Sequence, residues 1–280
     1  MNTQKRNRKW GILALLLTFS QAGALIVHPQ DDPPSGLTAP SPAVVGSWGG
    51  YATAVAIAPN FAISTLHQGG GVGETVTFDG NDYLVAEEFP HSTADFRVVR
   101  LTRPDATPAE MSEFVQLYTG TDEVGQTAVL GGFGESRGAQ LTSGGITYGY
   151  QWGTAGGLRW GRNAIDANDL VTGTEVLVAD FDGPGQPSYL QYEATIADGD
   201  SGAGWFLFDG NWKLAAITNN VDIPGEAIFL DADTLEPDPE HLEGIRVSPY
   251  AEFIHARIPE PLSLTILLGG AGLIAVRRRR

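Results

Sequence analysis

Residues 53–58, 61–65, 74–78, 83–87, 96–101, 127–133, 175–179, 205–208 and 213–218 are short runs rich in valine, isoleucine, phenylalanine, threonine and alanine. Each is broken off by glycine, proline, asparagine or aspartate. Such runs, recurring every eight to twelve residues or so, predict strands and turns, and hence an all-β barrel or sandwich. Helical periodicity is confined to 108–117 and 247–258, each expected as a short helix. The 36 glycines follow no period, which excludes collagen-like and repeat architectures. The segment 142–187, rich in glycine, asparagine and aspartate and carrying Tyr148, Trp152 and Trp160, reads as hairpins and long loops. Its carboxylates form two groups, Asp166 with Asn168 and Asp169, and Asp180 with Asp182 beside Gly183. Neither has the twelve-residue frame of a calcium loop, so both are expected to be solvated turn residues.

Both ends differ from this body. Lys5, Arg6, Arg8 and Lys9 precede an apolar stretch, 10–19, and Ala22-Gly23-Ala24 supplies the small residues a signal peptidase reads, placing a cut after Ala24. At the other end Pro259-Glu260-Pro261 precedes fifteen uncharged residues, 262–276, and then Arg277 to Arg280. Four arginines stay on the cytoplasmic side of a membrane. This three-part tail resembles the PEP-CTERM sorting signal. The resemblance implies processing by an exosortase-type enzyme, transient anchoring, and sorting to the envelope or extracellular matrix of a Gram-negative bacterium. A plain C-terminal anchor is the alternative.

The chain thus divides into a signal peptide (1–24), a proline- and glycine-rich lead-in (25–50), a body (51–258) and a tail (259–280). Without the two ends, 9 basic residues face 32 acidic ones, a net charge near −23 against −16 for the whole chain. That balance excludes nucleic acid and anionic lipid as partners of the body and leaves membrane contact to the terminal segments. With no cysteine, an exported chain must rest on its apolar core, which 234 residues suffice to build. A thiol nucleophile and a cysteine zinc site are excluded too, and nothing in the sequence calls for a metal or cofactor.

The candidate chemistry centres on Asp198-Gly199-Asp200-Ser201-Gly202. A serine is a poor nucleophile without a base within hydrogen-bond reach. Flanking glycines let the backbone turn tightly and aim N–H groups at one point, where they can hold the charge of an acyl-transfer oxyanion. His67 follows the run 61–65 and precedes Gly69-Gly70-Gly71, and Asp95 opens the run 96–101, well placed to fix a histidine's tautomer. His91, four residues before Asp95, is read as a solvated neighbour.

The order His67, Asp95, Ser201, in Ser64-Thr65-Leu66-His67, Asp95-Phe96-Arg97-Val98-Val99 and Gly199-Asp200-Ser201-Gly202, resembles the trypsin-like serine proteases over residues 51–220 or so. The resemblance implies two packed six-stranded antiparallel β-barrels with a short C-terminal helix, and a serine endopeptidase acting on polypeptides. Ser201 would be the nucleophile, His67 the base and then acid, Asp95 its orienting partner, and the Gly199 and Ser201 amides the oxyanion hole. Thr195, six residues before the serine, falls where the family sets its preference, and its small neutral side chain implies uncharged substrate residues. Thr218 falls on the substrate-binding strand. Asp200 matches the family's buried aspartate, which in digestive members pairs with a freed amino terminus. Val44-Val45-Gly46 resembles such a terminus but stands only 23 residues before His67, leaving the activation step open. The chain departs from the family at Gln68, where a disulfide cysteine is usual, at Ala203-Gly204, and after Ile217, where Ser-Trp-Gly is missing. Two alternatives remain. One is a catalytically inactive relative serving as a matrix-binding or adhesion module. The other is an esterase-type hydrolase, against which the missing G-x-S-x-G elbow counts.

Overall fold

The computed structural model describes residues 25–29, 36–50 and 52–258. A short strand β1 (Ile26–His28) enters first. It is followed by β2 (Val45–Trp48), β3 (Ala52–Ala58), β4 (Phe61–Thr65), β5 (Thr75–Phe78), β6 (Asn81–Pro90) and β7 (Phe96–Thr102). These last six close into an antiparallel barrel in the order β2-β3-β4-β7-β6-β5.

The sequence of β3 shows why this barrel also makes an interface. Small Ala54 and Ala56 join Trp48, Val76, Phe78, Val85, Val99 and Leu101 in a cluster drawn from all six strands, the barrel interior. The intervening Val55 and Ile57 join Phe61, Ile63, Phe96 and Val98 on the opposite face, packed against Phe206, Leu214, Ile217 and Ile245 of the second half. Alternation of side chains across a strand thus gives small residues to the crowded interior and large ones to the seam. Every residue of β3 and β4 is buried as a result.

The second half contains β8 (Gln116–Leu117), β9 (Thr127–Gly132), β10 (Glu135–Ser143), β11 (Ile146–Ala155), β12 (Arg159–Ala164), β13 (Ala167–Val171), β14 (Thr174–Asp180), β15 (Glu193–Thr195), β16 (Gly204–Phe208), β17 (Trp212–Val221), β18 (Glu226–Ile228) and β19 (His241–Arg246). Ten strands form one sheet in the order β1-β15-β12-β9-β16-β17-β19-β14-β13, with β8 on β17. Two of its pairings, β12 with β15 and β8 with β17, are parallel. The second half is therefore a sheet that the amino-terminal strand helps to complete, where a second six-stranded antiparallel barrel was expected. Strands β10, β11 and β18 form a separate three-stranded sheet.

A 3-10 turn (Ser248–Tyr250) and helix α1 (Ala251–His255) end the described chain, shorter than the expected helix over 247–258. The helix expected over 108–117 does not form. Its backbone donors are claimed by the barrel, Ala109 N–H by the Leu101 carbonyl, Met111 N–H by Pro59 and Val115 N–H by Ala56. Tertiary hydrogen bonds here override local helix propensity.

Candidate active site

The register of two strands assembles half of the site. In the β4–β7 pair Thr65 lies opposite Phe96, so His67, just past β4, meets Asp95, just before β7. Leu66 N–H donates to the Asp95 carbonyl at 3.2 Å and His67 N–H to Asp95 Oδ1 at 2.9 Å. The ring follows, with His67 Nδ1 at 2.5 Å from Asp95 Oδ2. With the proton on Nδ1, Nε2 is left to accept from Ser201 Oγ–H at 2.9 Å. Gln68 Nε2 stands 3.3 Å from the same ring nitrogen, a second donor to it.

The turn between β15 and β16 brings the serine. Gly199 and Gly202 adopt φ of +84° and +85°, conformations that side chains rarely tolerate. At Gly202 a Cβ would meet the Thr53 carbonyl oxygen at 2.1 Å and Ser64 Oγ at 2.4 Å. The turn is that close because Thr53 of β3 grips it. Thr53 N–H donates to the Ser201 carbonyl at 3.0 Å and Thr53 Oγ1 to the Gly199 carbonyl at 3.1 Å. Ser64 Oγ holds the Thr53 carbonyl at 2.7 Å. The Gly202 amide donates to Thr218, whereas the Gly199 and Ser201 amides have no acceptor among the described residues. Two uncommitted N–H groups beside a serine Oγ can receive an oxyanion.

Asp200 anchors the turn from within. Its carboxylate is fully buried and accepts from the amides of Gly134 at 2.9 Å, Ala197 at 3.0 Å and Leu25. Burial pushes its carboxyl up to about 7, against the pull of those three amides and of Arg159. Leu25 is itself wholly buried, immediately ahead of β1, which pairs with β15 through Ile26 and Thr195. The segment beside Asp200 is thus 25–28, not Val44-Val45-Gly46. The latter is built into a short 3-10 turn and β2 of the first barrel. Spacing from His67 could not reveal this, because β1 belongs to the other half of the molecule.

A groove of about 460 Å³ opens at the serine, lined by His67, Gln68, Glu135, Trp152, Ile196, Ala197, Asp198, Ser201, Thr218, Asn219, Asn220, Val221 and Pro224. Thr218 lines this groove and accepts Trp205 Nε1–H at 3.0 Å. Thr195 does not: it is fully buried on β15, opposite Ile26. Ile196 and Ala197 line the groove in its stead. A larger concavity of about 640 Å³, on the far side of the first barrel among Asp79, Asp82, Asp105, Arg103 and Glu110, holds none of these residues.

Two neighbours escaped the sequence reading and a third, His91, was misjudged. Thr53 looks like any strand threonine until its contacts are seen. Arg97, buried two residues after Asp95, donates to the carbonyls of Gly69 and Gly70 and to Glu88, over the Trp48 ring, and so fixes the loop that follows His67. His91 packs on Phe96, Tyr250 and Phe253, and burial lowers its pKa, so it is a packed residue and no solvated neighbour. Of the two acidic groups of 142–187, Asp166, Asn168 and Asp169 are exposed as expected, whereas the second differs from expectation. Asp180 Oδ1 stands 2.6 Å from His241 Nδ1. Asp182 is 7% exposed and pushed up to about 6 by burial, then by Asp180 and Asp166. Among the described residues no group of three or more His, Cys, Asp or Glu is arranged to hold a metal ion.

No family model matches the chain, and no curated protein does. Among solved structures it is similar to neuropsin, a serine protease expressed in the limbic system of mouse brain. The TM-score is 0.54 at 17% identity, over 79% of this chain and 97% of that one. At that identity the likeness is one of architecture: the chain has the chymotrypsin-like fold of the trypsin-like serine proteases.

Proposed function

We propose that this protein is an exported serine endopeptidase. The observation that supports this reading most is the unbroken relay from Asp95 through His67 to Ser201, beside two uncommitted amides at the mouth of a groove. Ser201 Oγ attacks a peptide carbonyl as His67 Nε2 takes its proton. The oxyanion is received by the Gly199 and Ser201 N–H groups. His67 then gives the proton to the leaving amine, and water, deprotonated by the same ring, releases the acyl group. Asp95 holds the ring and stabilises its imidazolium form. The test is fluorophosphonate labelling of the purified exported protein. Labelling lost in Ser201→Ala and in His67→Ala is the expected result. A folded wild-type protein that takes up no label would favour the matrix-binding alternative.

Export and activation are read as one event. Cleavage after Ala24, in a segment outside the described residues, would turn the Leu25 amide into an α-ammonium beside the buried Asp200 carboxylate. A buried carboxylate that meets a fixed cation is stabilised as the anion, and the turn it carries is fastened with it. A protein that retains a few residues ahead of Leu25 is expected to label at least about tenfold more slowly than one that starts there. Equal rates would refute the coupling. The tail, residues 259–280, also lies outside the described residues. Among the described residues no helix is long and apolar enough to cross a membrane. Sorting to the envelope by an exosortase-type enzyme is tested by replacing Pro259-Glu260-Pro261 with alanines, which should leave the protein in the membrane fraction.

A further inference from the structure

Where the trypsin-like serine proteases usually carry a disulfide cysteine, this chain has Gln68, and its amide reaches the reacting nitrogen of the relay. Gln68 Nε2 stands 3.3 Å from His67 Nε2, which Ser201 Oγ–H also approaches at 2.9 Å. Among the described residues this is the side chain's one hydrogen bond, so its amide oxygen is uncommitted. The backbone around it is fixed on both sides. Asp95 holds the amides of Leu66 and His67. Gly69 N–H closes a turn onto the Leu66 carbonyl at 3.2 Å, and buried Arg97 holds the carbonyls of Gly69 and Gly70. What can move is the side chain, which is half-buried and lines the groove with His67 and Ser201.

A neutral imidazole nitrogen has one lone pair, and here two donors share it. Once Nε2 has taken the serine proton that lone pair is gone, and the Gln68 N–H faces another N–H. It must turn away just as the proton is due to pass to the leaving amine. That transfer requires the amine to lie within hydrogen-bond reach of Nε2, about 3 Å. A side chain that already borders Nε2 therefore borders the first residue beyond the scissile bond, whose carbonyl follows the amine by one Cα. We infer that Gln68 is a substrate-binding residue on the leaving-group side. Its side-chain N–H passes from His67 Nε2 to the carbonyl of that first residue. The matching substrate is a chain that continues as a peptide past the cut. In the reverse direction it is an acceptor amine followed by a carbonyl. This rests on the endopeptidase reading and adds to it a contact that sorts leaving groups.

The test reads how the acyl-enzyme divides between two acceptors. An activated acyl ester loads Ser201 and releases its alcohol. Water then breaks the bond between Ser201 Oγ and the acyl group to give the free acid, and added alaninamide breaks it to give the amide. In both cases His67 takes a proton from the acceptor and returns one to Ser201 Oγ. The ratio of amide to acid, measured by chromatography, does not depend on how much acyl-enzyme forms, so any general weakening of a variant cancels. In Gln68→Leu the ratio with alaninamide should fall about fivefold, the scale of one neutral hydrogen bond. Gln68→Met, of similar length and without the amide, should give the same fall. With ethylamine, which carries no carbonyl, the ratio should stay within about twofold of wild type. A ratio with alaninamide that is unchanged, or that falls equally with ethylamine, overturns the inference and leaves the endopeptidase reading standing. An ester that folded wild-type protein does not turn over removes both.

Discussion

The two halves of the molecule are held together by different physics. Among the described residues the first barrel buries one charged side chain, Arg97, whereas the second half buries Glu123, Arg159, Asp182, Glu193, Asp200, Glu240 and Arg246. Apolar burial needs no partner and responds little to pH. A buried charge depends on every group around it. The first barrel delivers His67 and Asp95 from the ends of two paired strands, whose register brings them together without help from the chain's amino-terminal segment. The second delivers Ser201 from a turn pinned by Asp200, whose ligands include the amino-terminal segment. One half of the site is unconditional, the other conditional.

The sharpest way to break this contrast is Asp200→Asn. If the turn depends on that charge, kcat/KM falls by at least about a hundredfold, the scale of losing an oxyanion donor. A loss under about fivefold in peptide assays would show that the turn stands without it. Next comes Phe61→Ala at the seam of the first barrel. Removing a wholly buried phenylalanine should cost about 3–5 kcal/mol in urea unfolding, with the same loss at pH 6 and pH 9. A strongly pH-dependent loss would erase the distinction between the halves.

The third prediction concerns the second half's own pH response. Burial pushes Glu193 and Glu240 each up to about 9. With both raised, the folded state binds more protons than the unfolded one between about pH 4.5 and 9, so stability must fall as pH rises through that window. His28, lowered to about 4 by burial and then Arg137, works in the opposite sense but only below about pH 6.5. The melting temperature should therefore drop from pH 6.5 to pH 9, and Glu240→Gln should flatten that drop. A melting curve that rises over this interval would contradict the assignment. The smallest effect expected is that of Arg97→Lys. A lysine cannot reproduce the guanidinium fork on Gly69, Gly70 and Glu88, and activity should fall a fewfold, by about 1 kcal/mol in kcat/KM.

The same contrast governs what could be read from the sequence. Strand β4 matches its expected bounds, and β3, β7, β9, β14, β16 and β17 lie within a few residues of theirs, because apolar, β-branched runs carry their own signal. The relay residues were legible because each stands beside such a run. Strands β10 to β13 were not individually legible. Their glycines, asparagines and aspartates lack the alternating pattern, and they gain order from pairing. Strand β1 was lost for a different reason, as three residues in a proline-rich lead-in become a strand only where β15 offers an edge. The roles of Thr53 and Arg97 are properties of folded proximity that no local window contains.

The end of the described chain has a mechanical side. Ile254 of α1 is wedged against Ile63, Phe96, Ile217 and Ile245, residues of both halves, while Tyr250 and Phe253 grip His91 and Phe96. The point from which the chain runs on toward residue 280 is therefore also the rivet between the halves. A tether pulling there would act first on this wedge, whose contacts come from both halves, and not on the edge strand of a sheet.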